Sequence, residues 1–225
     1  GGIIIDSKFR TSNKKVYAGG DCQRGAHLAV TAAVDGREAA KAIIKELLWK
    51  MNKNIPALYK ESFIKAVINA NKELYTYINK NISLKDYEYT NSIGFGGDNS
   101  LKIDIIAENI FIKYLEEFGN IYSEECGLKS SNKEFTIVID PIDGSNNFYS
   151  NLPYYGTSVA LQKDGITIAG FVTNLVNAII TYRAFDDEVK HISLVTLKEK
   201  IFQEVKKTKL AIFERAYEYP EICQE

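Results

Sequence analysis

Asp140-Pro141-Ile142-Asp143-Gly144-Ser145 brings two carboxylates, a rigid proline and a glycine together directly after the β-branched run 135–139. If that run is a buried strand, both acids stand at its end, and the fixed φ of Pro141 makes them converge rather than splay. Negative charge concentrated in a partly buried place is costly unless a cation neutralises it. Oxygen-only ligands select a hard ion, and Mg²⁺ is the usual choice beside a phosphate. Gly144 removes a side chain where the backbone must approach something closely. Ser145 and Asn146 could open a helix whose free N–H groups cradle phosphate oxygens. Two acidic groups lie upstream: Glu124-Glu125 after Ile121-Tyr122-Ser123, and Asp104 at the start of a helical pattern that also carries Glu108. A bridging pair of Mg²⁺ ions about 3.5–4 Å apart draws four or five carboxylates from separate segments. Taken singly, each motif also fits something plainer. Asp-Pro-x-Asp-Gly makes an ordinary acidic turn, Glu-Glu a solvated pair, and Asp104 a favourable charge at a helix N-terminus. Their order and spacing together point to a site.

The elements that must position these residues follow from periodicity. Apolar residues recur at helical spacing over 28–48, over 58–78 (Phe63, Ala66, Val67, Ala70, Leu74, Ile78) and over 103–118. The stretch 51–56, ending in Pro56, reads as a linker. Strands are expected at 2–5, 14–19, 135–139, 157–162, 166–173 and 178–184. Lys163-Asp164-Gly165 closes a tight hairpin between two of them. A glycine-rich loop occupies 94–98. Beyond the acidic turn at 186–188, the pattern predicts a helix over 197–207 and a strand over 210–213, and the chain stops mid-pattern at Glu225.

The combination resembles the inositol monophosphatase family, which also includes fructose-1,6-bisphosphatases and 3′-nucleotide phosphatases. Asp104-Ile-Ile-Ala107-Glu108, Ser123-Glu124-Glu125, Asp140 to Ser145 with Asn147-Phe148, and Leu152-Pro-Tyr-Tyr with Ser158-Val-Ala-Leu161 carry the likeness across about 55–215. The glycine-rich loop is similar to the archaeal-type branch, in which dual activity on inositol and fructose phosphates is common. The resemblance implies an α/β fold, a layered α-β-α-β-α sandwich, and Mg²⁺-dependent hydrolysis of a small phosphomonoester with two or three ions. Glu124, Asp140 and Asp143 would hold metal through carboxylates and Ile142 through its carbonyl. Asp104 and Ser145 would orient and deprotonate the attacking water, with Glu124 among the catalytic groups. The amides of Gly144 and Ser145 would hold the phosphate. Family members carry a further metal-binding Asp in a Trp-Asp motif of a C-terminal domain, which this sequence does not reach. The expected organisation is therefore a metal-binding domain over 51–185 and the start of a truncated second domain over 186–225, with severely reduced activity and an exposed apolar face.

The first fifty residues read differently. Tyr17-Ala-Gly-Gly20-Asp21, Gly25 and the small-residue run 30–40 resemble the C-terminal end of flavin-dependent oxidoreductases of the glutamate synthase small-subunit type. Asp21 matches the residue that accepts a hydrogen bond from the flavin there. The pyrophosphate-gripping Gly-x-Gly-x-x-Gly loop is absent, so a strand–turn–helix without FAD is favoured. The chain opens on Gly1-Gly2 and its only methionine is Met51, where one pattern gives way to another. Segments 1–50 and 51–225 are expected to be pieces of two proteins in one reading frame.

Composition excludes several partners. A formal net charge of −1 supplies no basic field for nucleic acid. No polybasic amphipathic stretch suggests a membrane surface. Three cysteines without CxxC spacing fit reduced thiols, and no signal-peptide pattern opens the chain. A cytoplasmic enzyme acting on a small phosphorylated metabolite is expected, with a homodimer allowed by the resemblance. Its rivals are a catalytically inactive fragment and a fragment of a flavin oxidoreductase.

Overall fold

The computed structural model describes residues 2–25, 28–95, 99–129, 132–185 and 187–202. Its centre is a seven-stranded sheet ordered β4-β3-β5-β6-β7-β8-β9. The strands are β3 (Asn120–Ser123), β4 (Gly127–Lys129), β5 (Phe135–Asp143), β6 (Gly156–Lys163), β7 (Ile166–Asn174), β8 (Ile179–Ala184) and β9 (Lys190–Ser193). Every neighbouring pair is antiparallel except β3 and β5, which run parallel with Ser123 opposite Ile139. Two helices, α3 (Ala57–Lys80) and α4 (Lys102–Leu115), pack on one another and on one sheet face. Before α4, a short antiparallel pair is formed by β1 (Tyr89–Ile93) and β2 (Asn99–Leu101).

The pleat sorts the sheet residues into two sets. Ile137, Ile139, Val159, Leu161, Phe171 and Ile180 turn to the helices and are buried with Phe63, Val67, Leu74, Phe111 and Leu115. Their alternates, among them Val138, Ala160 and Val172, occupy the opposite face. Val172 is 64% exposed there, and Tyr122 is also exposed. Among the described residues no helix packs on that face to any appreciable extent. One buried polar tie crosses from helix to sheet. Thr157 Oγ1 donates to Asn71 Oδ1 at 2.6 Å, while Asn71 Nδ2 donates to the Val67 carbonyl.

The hairpin expected across Lys163-Asp164-Gly165 forms with a two-residue loop: Asp164 and Gly165 take φ of 51° and 75°, and Lys163 belongs to its strand, paired to Ile166. Both positive φ values suit the right-handed twist of the flanking strands.

Three expectations are corrected. The segments 2–5 and 14–19 are not strands; a single bridge joins Arg10 to Tyr17. The Asp6 carboxylate caps the amides of Lys8 and Arg10 instead, and a lone two-stranded ladder with no sheet to join is marginal in water. The linker 51–56 is shorter than expected. Helix α2 (Ala29–Lys53) runs through Met51, since nothing before Pro56, the N-cap of α3, obliges the chain to break. Residues 197–202 are not helical either. Leu197 takes φ 56°, Glu199 bridges to Ile192 and the Lys200 amide donates to the His191 carbonyl, so the segment lies along β9. The rest of that expected helix and the strand at 210–213 fall outside the described residues.

Candidate active site at the ends of the parallel strands

The site grows from the β3–β5 pair. With Ser123 level with Ile139, the next residues, Glu124 and Asp140, leave the ends of two adjacent strands side by side. The carboxyl ends of parallel strands are where open α/β sheets place ligands. Past Asp140 the ladder with β6 shifts before resuming at Asp143 and Gly156. That irregularity at Pro141-Ile142 re-aims the two aspartates relative to one another. Gly144 then takes φ 86°, ψ 39°, and α5 (Ser145–Tyr149) begins. A Cβ at Gly144 would stand 3.0 Å from the Tyr154 carbonyl oxygen and 3.2 Å from Asn147 Nδ2, so both backbone and space require glycine.

Asp104 reaches the same place from α4. Its Oδ2 accepts the Leu101 amide at 2.8 Å, in the manner of an N3 carboxylate closing a helix start. Its Oδ1 is buried and has no hydrogen-bond partner among the described residues. Such an orphaned carboxylate oxygen is costly unless something absent from a bare polypeptide, a cation or a water, meets it. A cavity of about 50 Å³ lies there, lined by Gly94, Asn99, Asp104, Glu124, Glu125, Ile142, Ser145 and Asn146. That is room for a few small oxygens or ions.

The electrostatics show how closely the acids crowd. Burial pushes Asp104 up to about 7 against the lowering effect of the Leu101 amide, with the Glu125 and Glu124 charges adding to the rise. Burial likewise pushes Asp140 up to about 7, reinforced by the charges of Glu124 and Asp143, a hydrogen bond with Glu124, and Asp104. Among the described residues no three His, Cys, Asp or Glu side chains close into a ready-made metal cage. The carboxylates sit near enough to repel, not yet gathered around a centre. An all-oxygen donor set, mutual repulsion and an orphaned Oδ1 together fit a hard divalent cation.

Of the residues expected from sequence, Asp104, Glu124, Ile142 and Ser145 line one cavity, and Asp140 is coupled to it electrostatically. Asp143 and Gly144 line a neighbouring, more open cavity of about 200 Å³ with Asn147, Tyr154, Tyr155 and Asn174. Asp21 is exposed at the first residue of α1 (Asp21–Arg24), and neither α1 nor α2 packs appreciably on the sheet, α3 or α4. Glu108 is buried with its Oε1 accepting the Cys126 amide. Asn99 and Ser100 went unnoticed in the sequence. Their one signal is position, between the glycine-rich loop and Asp104.

Comparison with known proteins settles the family. A model of the inositol monophosphatase family matches residues 59–208. The chain belongs to that family. Among curated relatives, it is 37% identical over 94 residues to the fructose-1,6-bisphosphatase/inositol-1-monophosphatase of Methanocaldococcus jannaschii, covering 41% of this chain and 36% of that protein. It is 44% identical over 75 residues to the bifunctional NADP phosphatase/NAD kinase of the same organism, covering 32% of this chain and 13% of that one. Among solved structures, an inositol monophosphatase–fructose 1,6-bisphosphatase superposes with TM-score 0.53 at 28% identity, over 57% of this chain and 52% of that one. The fold is shared as well with the fructose-1,6-bisphosphatase of Leishmania major, at TM-score 0.52 and 18% identity, over 65% of this chain and 54% of that one. The chain thus spans about a third of the length of the first of these curated relatives and about half that of the solved structures. Its α/β architecture is that of the family, and no helix among the described residues is long and apolar enough to cross a membrane.

Proposed function

We propose that this chain hydrolyses a small phosphomonoester, of the inositol monophosphate or fructose 1,6-bisphosphate class, with Mg²⁺ held by its acidic cluster. The orphaned Oδ1 of Asp104, a residue that lines one cavity with Glu124 and Ser145, carries the reading. Glu124, Asp140, Asp143 and the carbonyl of Ile142 would hold the cation. Bound there, it would lower the pKa of the attacking water and offset the charge of the phosphate. Asp104 accepts the water's proton at Oδ1, its other oxygen being held by Leu101. Ser145, on the wall of the same cavity, orients that water through its hydroxyl. The turn at Gly144, where no side chain intrudes, brings backbone N–H groups to the phosphate oxygens at the start of α5. Such preorganised donors stabilise charge that develops on those oxygens.

The shared length favours a second reading. With about a third to half of its relatives' length present here, the chain could hold the acidic cluster without the remainder of a working site. Phosphate release from inositol 1-phosphate and fructose 1,6-bisphosphate, with and without Mg²⁺ and beside Asp143→Asn, separates the two. Mg²⁺-dependent release lost in Asp143→Asn supports the phosphatase. Release no greater than in Asp143→Asn leaves an inactive fragment, and bound flavin in the purified protein would support an oxidoreductase remnant over residues 1–50 beside either reading.

A further inference from the structure

Glu124 and Glu125 are adjacent in sequence and line the same cavity, and both charges raise Asp104, but their hydrogen-bond partners differ. Glu124 shares the field of Asp140 at the ends of the parallel strands. Glu125 is half-buried, and its Oε2 accepts a hydrogen bond from Ser100 Oγ, on β2. Its carbonyl accepts the Phe95 amide at 3.0 Å. Gly94 lies close against both: a Cβ there would stand 3.0 Å from Glu125 Oε2 and 3.3 Å from Ser100 Oγ. Nearby, the Phe95 ring meets Tyr122 edge-on at 5.8 Å. The turn after β3 is thus fastened to both described flanks of the glycine-rich loop.

Ser100 is followed directly by Leu101, whose amide holds Asp104 Oδ2. A connected path therefore runs from the Glu125 carboxylate through Ser100 Oγ, along one peptide unit to the Leu101 N–H, and on to Asp104. Hydrogen bonds to an ionised acceptor are the stronger kind and hold geometry most tightly. We propose that Glu125 is a positioning residue: it fixes Ser100 and Leu101 so that Asp104 keeps its place in the cavity wall, and it lies outside the set that holds the cation. The catalytic value of that positioning rests on the proposed phosphatase reading; the path itself does not.

The test uses the full chain, Mn²⁺ as the probe cation and four variants: Glu125→Ala, Glu125→Gln, Ser100→Ala and Glu124→Gln. Glutamine retains an oxygen to accept from Ser100 but gives up the charge a cation ligand needs. Amide hydrogen exchange at Leu101 should quicken about tenfold or more in Glu125→Ala and in Ser100→Ala, with no further gain when the two are combined. Glu125→Gln should restore exchange to within about threefold of the unmodified chain and keep the Mn²⁺ dissociation constant within the same margin. Glu124→Gln should raise that constant about tenfold or more. Unchanged Leu101 exchange in Glu125→Ala overturns the proposal. So does Glu125→Gln losing Mn²⁺ as severely as Glu124→Gln, which would make Glu125 a ligand. Failure of the unmodified chain to bind Mn²⁺ would count against the phosphatase reading, and exchange at Leu101 would still decide the role of Glu125.

Discussion

Replacing Asp104 by asparagine should stabilise the cation-free protein at pH 8 and do so by about half as much or less at pH 4.5. Asparagine keeps the shape of the side chain, so its oxygen can still accept the Leu101 amide, now held at 2.8 Å, while its NH₂ takes the place of the orphaned oxygen. The difference lies in charge. Asp104 is raised to about 7, chiefly by burial, from a value near 3.9 in an unfolded chain. A carboxyl whose folded pKa lies above its unfolded one favours folding only while protonated. Its contribution is whole below about pH 4 and is lost as pH rises through about 7. Three pKa units correspond to a ceiling of about 4 kcal/mol. Asp140 rises to about 7 in the same field, and protonating either acid relieves the other. About 2 kcal/mol is therefore the gain expected of Asp104→Asn at pH 8, against about 1 kcal/mol or less at pH 4.5, where the unfolded carboxyl is already mostly ionised. Urea unfolding in the presence of a chelator at the two pH values measures both. A variant no more stable than the parent at pH 8, or equally stabilised at both pH values, would refute the reasoning. Mg²⁺ added at pH 8 should stabilise the parent more than the variant.

Two other changes probe the frame around the site. Gly144→Ala must hold a Cβ at φ 86° and 3.0 Å from a backbone oxygen, and should cost about 2–3 kcal/mol in urea unfolding, where an ordinary surface Gly→Ala change costs little or helps. Thr157→Val leaves Asn71 Oδ1 buried without its donor, and should lower stability by about 1–3 kcal/mol by the same measurement; the paired change Asn71→Leu with Thr157→Val should recover part of that loss.

How much of this was legible in the sequence depends on whether the signal is local. The run 135–139 and the Pro141 and Gly144 punctuation announce a strand, a turn and a helix start, and the structure has all three. The stripe from Phe63 to Ile78 likewise marks the buried face of α3. Strand β3 gave no comparable sign, because Asn120–Ser123 is four residues long with only two apolar side chains. Its existence depends on β5 lying parallel beside it, a pairing that periodicity cannot see. Strands β1 and β2 are rich in Ser, Thr and Asn and were missed for the same reason. At 2–5 the error runs the other way, since β-branched residues signal a strand only where a sheet edge accepts them.

The same distinction explains the site. Residue types in a motif disclose chemistry, but which acid faces which cavity is decided by register. One step along β5 separates Ile139, buried against the helices, from Asp140, which stands beside Glu124. A one-residue slip of the parallel pair would turn every side chain of β3 to the other face and separate Glu124 from Asp140. Ile121, fully enclosed on the helix side, makes that slip costly, because it would bring Tyr122 inward in its place. The apolar packing of a four-residue strand thus sets the spacing of the carboxylates. A core substitution at Ile121 should accordingly disturb cation binding as well as stability, although Ile121 is not among the residues that line the cavity.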